Sequence, residues 1–274
     1  MPDEFDPDEP RRRYPSRPAG PRANDSNSGV KIVLIVLGVV AIMAFCLVAG
    51  VVSLAVYAGR QVSKSISQSM AQLSAQVNYS SVAMALTAYQ GTHGHYPPPA
   101  MKTKDGSKGL SWRVAILPEL GYEDLYKQFK LDEAWNHPDN LKLAGRMPFQ
   151  FEPAGNSAVG QRTHLRVFVG NGAMFDWGKH AVSGPKTKPD EIPISDGISN
   201  TIMFVEATDA VNWIQPDELE FRPNGDLPAL GLPGGAHFFL ATADGLVRMQ
   251  LKTMKPGNLK AAITANGGET FTWE

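Results

Sequence analysis

The stretch Ile32–Gly59, IVLIVLGVVAIMAFCLVAGVVSLAVYAG, runs for 28 residues without a charge between Lys31 and Arg60. As a helix at about 1.5 Å per residue it is roughly 42 Å long, more than a hydrocarbon layer of roughly 30 Å requires. A core helix of a soluble domain rarely stays apolar on every face for so many turns. The run therefore reads as a transmembrane helix, residues 30–59, with membrane lipid as its partner. Gly38, Gly50 and Gly59 are tolerable in lipid, and Ala49, Gly50 and Ser53 are small enough to admit a second helix. Cys46 follows Phe45 rather than a small residue, so it reads as an apolar membrane residue and not a lipidation site. Ser53-Leu54-Ala55 has the form of a signal-peptidase site, but the run is longer and its preceding region larger than a cleaved signal has.

Charges on the two sides set the orientation. Before the run stand Arg11, Arg12, Arg13, Arg17, Arg22 and Lys31; just after it stand only Arg60 and Lys64. The positive-inside rule then puts the N-terminus in the cytoplasm and residues 60–274 outside, in a single-pass protein of the cytoplasmic membrane. Residues 1–29 hold six prolines, six acids and five arginines against the apolar Met1, Phe5, Tyr14, Ala19 and Ala23. Such a segment cannot offset its ordering entropy and reads as a disordered cytoplasmic tail. Its basic block can lie on anionic headgroups, and Pro15-x-x-Pro18 fits a proline-rich reader.

After Arg60 the helical pattern continues, as a stalk over residues 60–92. Val62, Ile66, Met70, Leu73, Val77 and Met84 recur mostly in steps of three and four, interrupted at Ser80 and Ser81. From Ser65 to Gln90 there is no charge; the polar positions are Ser, Gln, Thr and Asn. A solvated helix usually carries Lys and Glu pairs on its outer face. This one suits burial on several sides, against its own domain or a neighbouring protomer. Gly91 and Gly94 end it, and Pro97-Pro98-Pro99 prevents its resumption.

Residues 93–274 read as an α+β extracytoplasmic domain in which the long helix packs on a small, mainly antiparallel sheet. Short helices are expected over 110–120 and 122–131 and a final one over 258–265, between Gly257 and Gly267. Strands are expected over 163–169 and 201–207. The clearest local signal is a hairpin, 237–243 and 246–251, joined by a two-residue Asp244-Gly245 turn. Long loops fall at 152–160, 170–192 and 222–235.

The 274 residues balance 26 basic against 27 acidic side chains, which excludes a dedicated nucleic-acid binder. A single cysteine excludes an intramolecular disulfide or a Cys-rich zinc module. His93-x-His95 offers two imidazoles, but a metal needs further ligands. Asp196, Ser199 and Asn200, or Asp132, Asn136, Asp139 and Asn140, offer oxygens for calcium without the EF-hand spacing, and Asx turns account for the first group. Ser111 in Gly-Leu-Ser-Trp-Arg lacks the closing glycine of a nucleophile elbow. Glu218 and Glu220 read as solvated surface, Gly234-Gly235 as a close approach to the hairpin, and the five tryptophans as core or interface before sugar-stacking platforms. No catalytic, cofactor-binding or metal-binding residue is assigned, and no enzyme activity is expected. The expected role is structural or protein-interacting, with a homo-oligomer or an envelope protein as partner. An extracytoplasmic module binding glycan or calcium is the alternative.

A set of ordered blocks carries a resemblance. Tyr89 to Pro98 (YQGTHGHYPP), Leu110-Ser111-Trp112-Arg113, Leu117-Pro118-Glu119-Leu120, Leu131 to Asn136 (LDEAWN), Asp196 to Ile202 (DGISNTI), Val211-Asn212-Trp213 and Ala243 to Arg248 (ADGLVR) follow one another, closed by Asn266 to Glu269. In this order they resemble a planctomycete-type family of unknown function associated with prepilin-like and pseudopilin-like proteins, with a histidine-spacer-Asp-Gly element near its C-terminus. The resemblance covers about residues 80–274 and implies a long helix, half in the membrane and half packed on a sheet. It implies no biochemical activity. The chain departs from the pattern in lacking a Gly-Phe-Thr-Leu-x-Glu processing motif and an early glutamate in the apolar run. No Cys-Pro pair occurs near Pro148–Pro153, and only six residues separate His237 from Asp244. These departures favour a permanent anchor over a processed filament subunit.

Overall fold

A computed structural model describes residues 28–153, 160–186 and 188–273. The tail, with its arginine block and Pro15-x-x-Pro18, lies outside these residues up to Asn27, whereas Ser28 and Gly29 already belong to the first helix. Residues 154–159, in the middle of the 152–160 loop, also lie outside the described residues. The chain falls into two compact units, one ending at Val62 and one beginning at Ser63.

Helix α1 is Ser28–His93, 66 residues. No proline occurs between Lys31 and Tyr96, and no glycine between Gly59 and Gly91, so nothing in the sequence breaks it earlier. Ser80 and Ser81 interrupt the apolar stripe but not the helix, and each satisfies its hydroxyl by donating to the carbonyl four residues back, at 2.7 and 3.1 Å. It stops where Gly94 takes φ +79° and its N–H donates to the Gln90 carbonyl at 2.8 Å. In the first unit every residue from Val30 to Val62 is exposed. This is the one helix among the described residues that is long and apolar enough to cross a membrane.

The second unit is α+β. Its strands are β1 Ala100–Lys102, β2 Lys108–Ser111, β3 Arg162–Arg166, β4 Phe168–Val169, β5 His180–Val182, β6 Glu191–Pro193, β7 Ile202–Asn212, β8 Leu219–Glu220, β9 His237–Thr242 and β10 Val247–Leu251. The main sheet has the order β10-β9-β7-β3, antiparallel throughout, and β1–β2 is a second antiparallel pair. β4–β8 and β5–β6 are short parallel pairs. Side chains alternate along the central strands, as a period of two requires. Phe239 and Ala241 of β9 and Met203 of β7 join the core containing Ala75, Tyr79, Val82 and Leu86 of α1. Phe238, Leu240 and Val205 join a second core with Leu259, Ala262 and Ile263 of helix α5, Pro256–Ile263, which follows three short helices, α2 Trp112–Ala115, α3 Glu123–Tyr126 and α4 Pro138–Leu143. The sheet is thus covered by α1 on one face and α5 on the other.

The apolar stripe read from the sequence is not the face of α1 that meets the sheet. Ile66, Met70, Leu73, Val77 and Met84 are 58–64% exposed. At 3.6 residues per turn they lie roughly 180° around the helix from Ala75, Tyr79, Val82 and Leu86, which are buried. Ala83 and Ala85 join these four residues in the packing. Other local readings also change. The 110–120 and 122–131 helices shrink to single turns, α2 and α3, around Pro118 and Gly121. Gly257 lies inside α5, whose first residue is Pro256. The hairpin turn is not the two-residue form. Gly245 donates to the Thr242 carbonyl at 2.8 Å and alone takes a positive φ, +83°, giving a type I turn followed by a left-handed glycine. Asp244 caps it by accepting from Thr242 Oγ1 at 2.6 Å and Leu246 N–H at 3.1 Å.

Candidate functional site

The residues that invite chemistry are mostly spent on holding the fold. Ser111 caps α2, accepting the Arg113 N–H at 3.3 Å, and also accepts from the Arg113 guanidinium at 2.5 Å. Glu218 is a correction: it is completely buried, 3.0 Å from Arg113 Nη1, and it accepts the Val167 N–H at 2.9 Å. Arg113 in turn donates to the Leu165 carbonyl through Nε at 2.9 Å and Nη2 at 2.6 Å. Burial pushes the Glu218 carboxyl up and the Arg113 guanidinium down, and the attraction between them opposes both shifts. Glu220 is exposed as read, 3.3 Å from Arg222.

The two oxygen-ligand groups do not converge on a cation. Asp132 pairs with Lys104 at 2.7 Å, Asp139 with Lys142 at 2.9 Å, and buried Asn140 bonds the Lys130 and Ala134 backbone. The Asp196 carboxylate accepts the N–H groups of Gly267 and Gly268 at 2.7 and 3.0 Å, tying the C-terminal loop to the DGISNT turn. Trp273 Nε1 donates to the Ser199 carbonyl at 3.0 Å, closing the same junction. Gly234-Gly235 is not the tight spot beside the hairpin; Gly231 is, because a Cβ there would collide with the His237 carbonyl oxygen.

The end of α1 gathers four rings. Tyr89 and His93 stack at 3.9 Å between centroids, and His95 lies 4.3 Å from His180 of β5, a neighbour that sequence spacing does not reveal. Nδ1 of His93 and of His95 each donates to a carbonyl, Tyr89 O at 3.0 Å and Tyr96 O at 2.8 Å. Burial, then His95, holds the His180 imidazole below its usual range. Among the described residues no three His, Cys, Asp or Glu side chains are placed to hold a metal ion. Trp112 and Trp213 are core residues, whereas Trp177 lies under Lys108 Nζ at 3.3 Å. A cavity of about 330 Å³ opens between Leu230, Phe238, Met254 and Leu259. Lys252, which lines it, donates to the carbonyls of Gly231 and Leu232 at 3.2 and 2.9 Å.

Where α1 crosses the sheet, Tyr79 donates to Glu206 Oε1 at 2.9 Å and packs edge-on against Phe204 and Phe239. Burial first, and Glu206 next, raise the Tyr79 hydroxyl well above its usual value; burial also raises Tyr89, Tyr96 and Tyr126. The folded state therefore holds these protons more tightly than the unfolded chain. The stability they supply is present below the ordinary tyrosine pKa of about 10 and is lost as pH rises through the folded values. Denaturant midpoints are expected to be flat in this respect up to about pH 9 and to fall steeply above about pH 10 in the unaltered chain, and less steeply in Tyr79→Phe. Equal slopes would remove Tyr79 from this account.

No curated protein and no solved structure matches the chain. Within residues 71–170, which run from the sheet-packed half of α1 through the LSWR and LDEAWN blocks to β4, the chain matches the model of a family described as a protein of unknown function (DUF1559), a domain of unknown function in agreement with the resemblance carried by its sequence blocks.

Proposed function

We propose that this chain is a single-pass protein of the cytoplasmic membrane, its N-terminus in the cytoplasm and residues 60–274 outside. There the α+β domain serves a structural, protein-interacting and non-catalytic role in the cell envelope, as pseudopilins do. One observation carries the reading. A single helix is apolar and exposed throughout Ile32–Gly59, then beds its residues 75–86 on the domain's own sheet. An exposed apolar run of that length has no favourable place in water. The six cations before the run and the two just after it support the direction of insertion. The polar residues that could serve chemistry support the absence of catalysis, because backbone and neighbouring side chains occupy them.

Protease added to spheroplasts tests the topology. The expected result is digestion of the domain down to a membrane-protected fragment containing the apolar run. Full protection of residues 60–274 in intact spheroplasts, with digestion only after lysis, would reverse the orientation.

A further inference from the structure

We propose that the exposed stripe of α1, Ile66, Met70, Leu73, Val77 and Met84, is the seam of a parallel pair formed with a second copy of this chain. The inference rests on the anchored reading and names its partner. Helix α1 has two apolar faces on opposite sides, and its own sheet covers one of them. The spacing of the other, four, three, four and seven, is the heptad alternation of a two-helix seam, with Ser80 at the position the last step skips. Residues 1–27 precede the membrane run, so under the anchored reading they lie across the bilayer and cannot supply the cover.

Charge and size favour a second copy over another partner. The positions flanking the seam are Ser67, Ser74 and Ser81 on one side and Ser69 and Gln76 on the other, while Ala83, next along the second side, is already buried in the chain's own core. A partner helix edged with Lys or Glu would find no counter-charge there, whereas an identical helix brings the same neutral edge and no repulsion. The serines also leave room for close approach. Two copies inserted the same way carry the stripe at the same sequence distance from Gly59, so the seams meet parallel and in register. Burying five such side chains on each copy removes on the order of 1,000 Å² of apolar surface, about the smallest area at which a specific interface holds.

Crosslinking of the full chain in isolated membranes tests the pairing. Cys46→Ser removes the native thiol, and single cysteines are placed by Ile66→Cys, Leu73→Cys and, as control, Gln68→Cys. Gln68 is also exposed and sits only two residues from Ile66, but roughly 200° around the helix. Mild oxidation is expected to link Ile66→Cys and Leu73→Cys into dimers, with roughly tenfold less product from Gln68→Cys. Adding Leu73→Lys to the Ile66→Cys chain should cut its dimer by a similar factor while the amount in the membrane stays unchanged. Equal yields at Ile66 and Gln68, no dimer at either, or an Ile66→Cys adduct to a different protein would each overturn the pairing. Both faces of isolated membranes are open to oxidant, so this readout is independent of sidedness, which the spheroplast digestion reads separately.

Discussion

Membranes washed in alkaline carbonate are expected to retain the full chain, and a chain deleted for Ile32–Gly59 is expected in the supernatant. The run contains sixteen Ile, Val, Leu and Phe residues. At about −0.3 to −0.6 kcal/mol each on an insertion scale they supply roughly −5 to −10 kcal/mol, a partition of at least about a thousandfold. Among the described residues nothing else buries these side chains, and the whole window is exposed. Val40 stands about six residues short of the middle of the run, so a single Val40→Arg costs at most the roughly 2.5–3.5 kcal/mol that holds at a helix centre and should leave the chain in the membrane. Release of the unaltered chain by carbonate would refute the span. Release by Val40→Arg alone would show that the run is held far more weakly than its composition requires.

Glu218→Ala is expected to destabilise the domain by about 3–5 kcal/mol, because it leaves the Arg113 guanidinium buried without its counter-ion. For a unit of this size that lowers the melting temperature by on the order of 10 °C. The Leu165 carbonyl still accepts from Arg113, but a neutral oxygen does not replace a carboxylate. The double change Arg113→Met with Glu218→Leu should recover most of the loss, since removing both charges removes the desolvation penalty with them. Glu220→Ala, two residues away and exposed, should change stability by no more than about 0.5 kcal/mol. Thermal melts of the detergent-solubilised full chain measure all three, and a Glu218→Ala melt matching that of Glu220→Ala would refute the buried pair.

The contrast between Glu218 and Glu220 shows where reading the chain alone reaches its limit. Two acids separated only by Leu219 look alike. What separates them is a partner 105 positions away, Arg113, which local pattern cannot supply. The same holds for His95 and His180, and for Tyr79 and Glu206. By contrast, the long helix with its charge-free runs at 32–59 and 65–90, its stop at Gly94, the hairpin and the α+β class were legible, because each depends on residues within a few positions of one another. The helix itself was read correctly, but which of its faces meets the sheet was not legible. Both faces are apolar and both carry large side chains, Val82 and Leu86 on the packed one and Ile66, Met70, Leu73, Val77 and Met84 on the exposed one, so periodicity alone does not choose between them. The Asp244-Gly245 turn failed more narrowly: the dipeptide suits two turn types, and the Thr242 and Leu246 bonds to Asp244 select the longer one.

The bond from Tyr79 to Glu206 joins residues 127 positions apart, and β9, which completes the bed for α1, comes later still. At roughly 5–20 residues per second of synthesis, the helix face at 75–86 exists for on the order of ten seconds before its sheet is made. During that interval the nascent chain carries two uncovered apolar faces on one helix. The order of synthesis thus places the exposure to misassociation early, and makes emergence of the C-terminal strands the event that ends it.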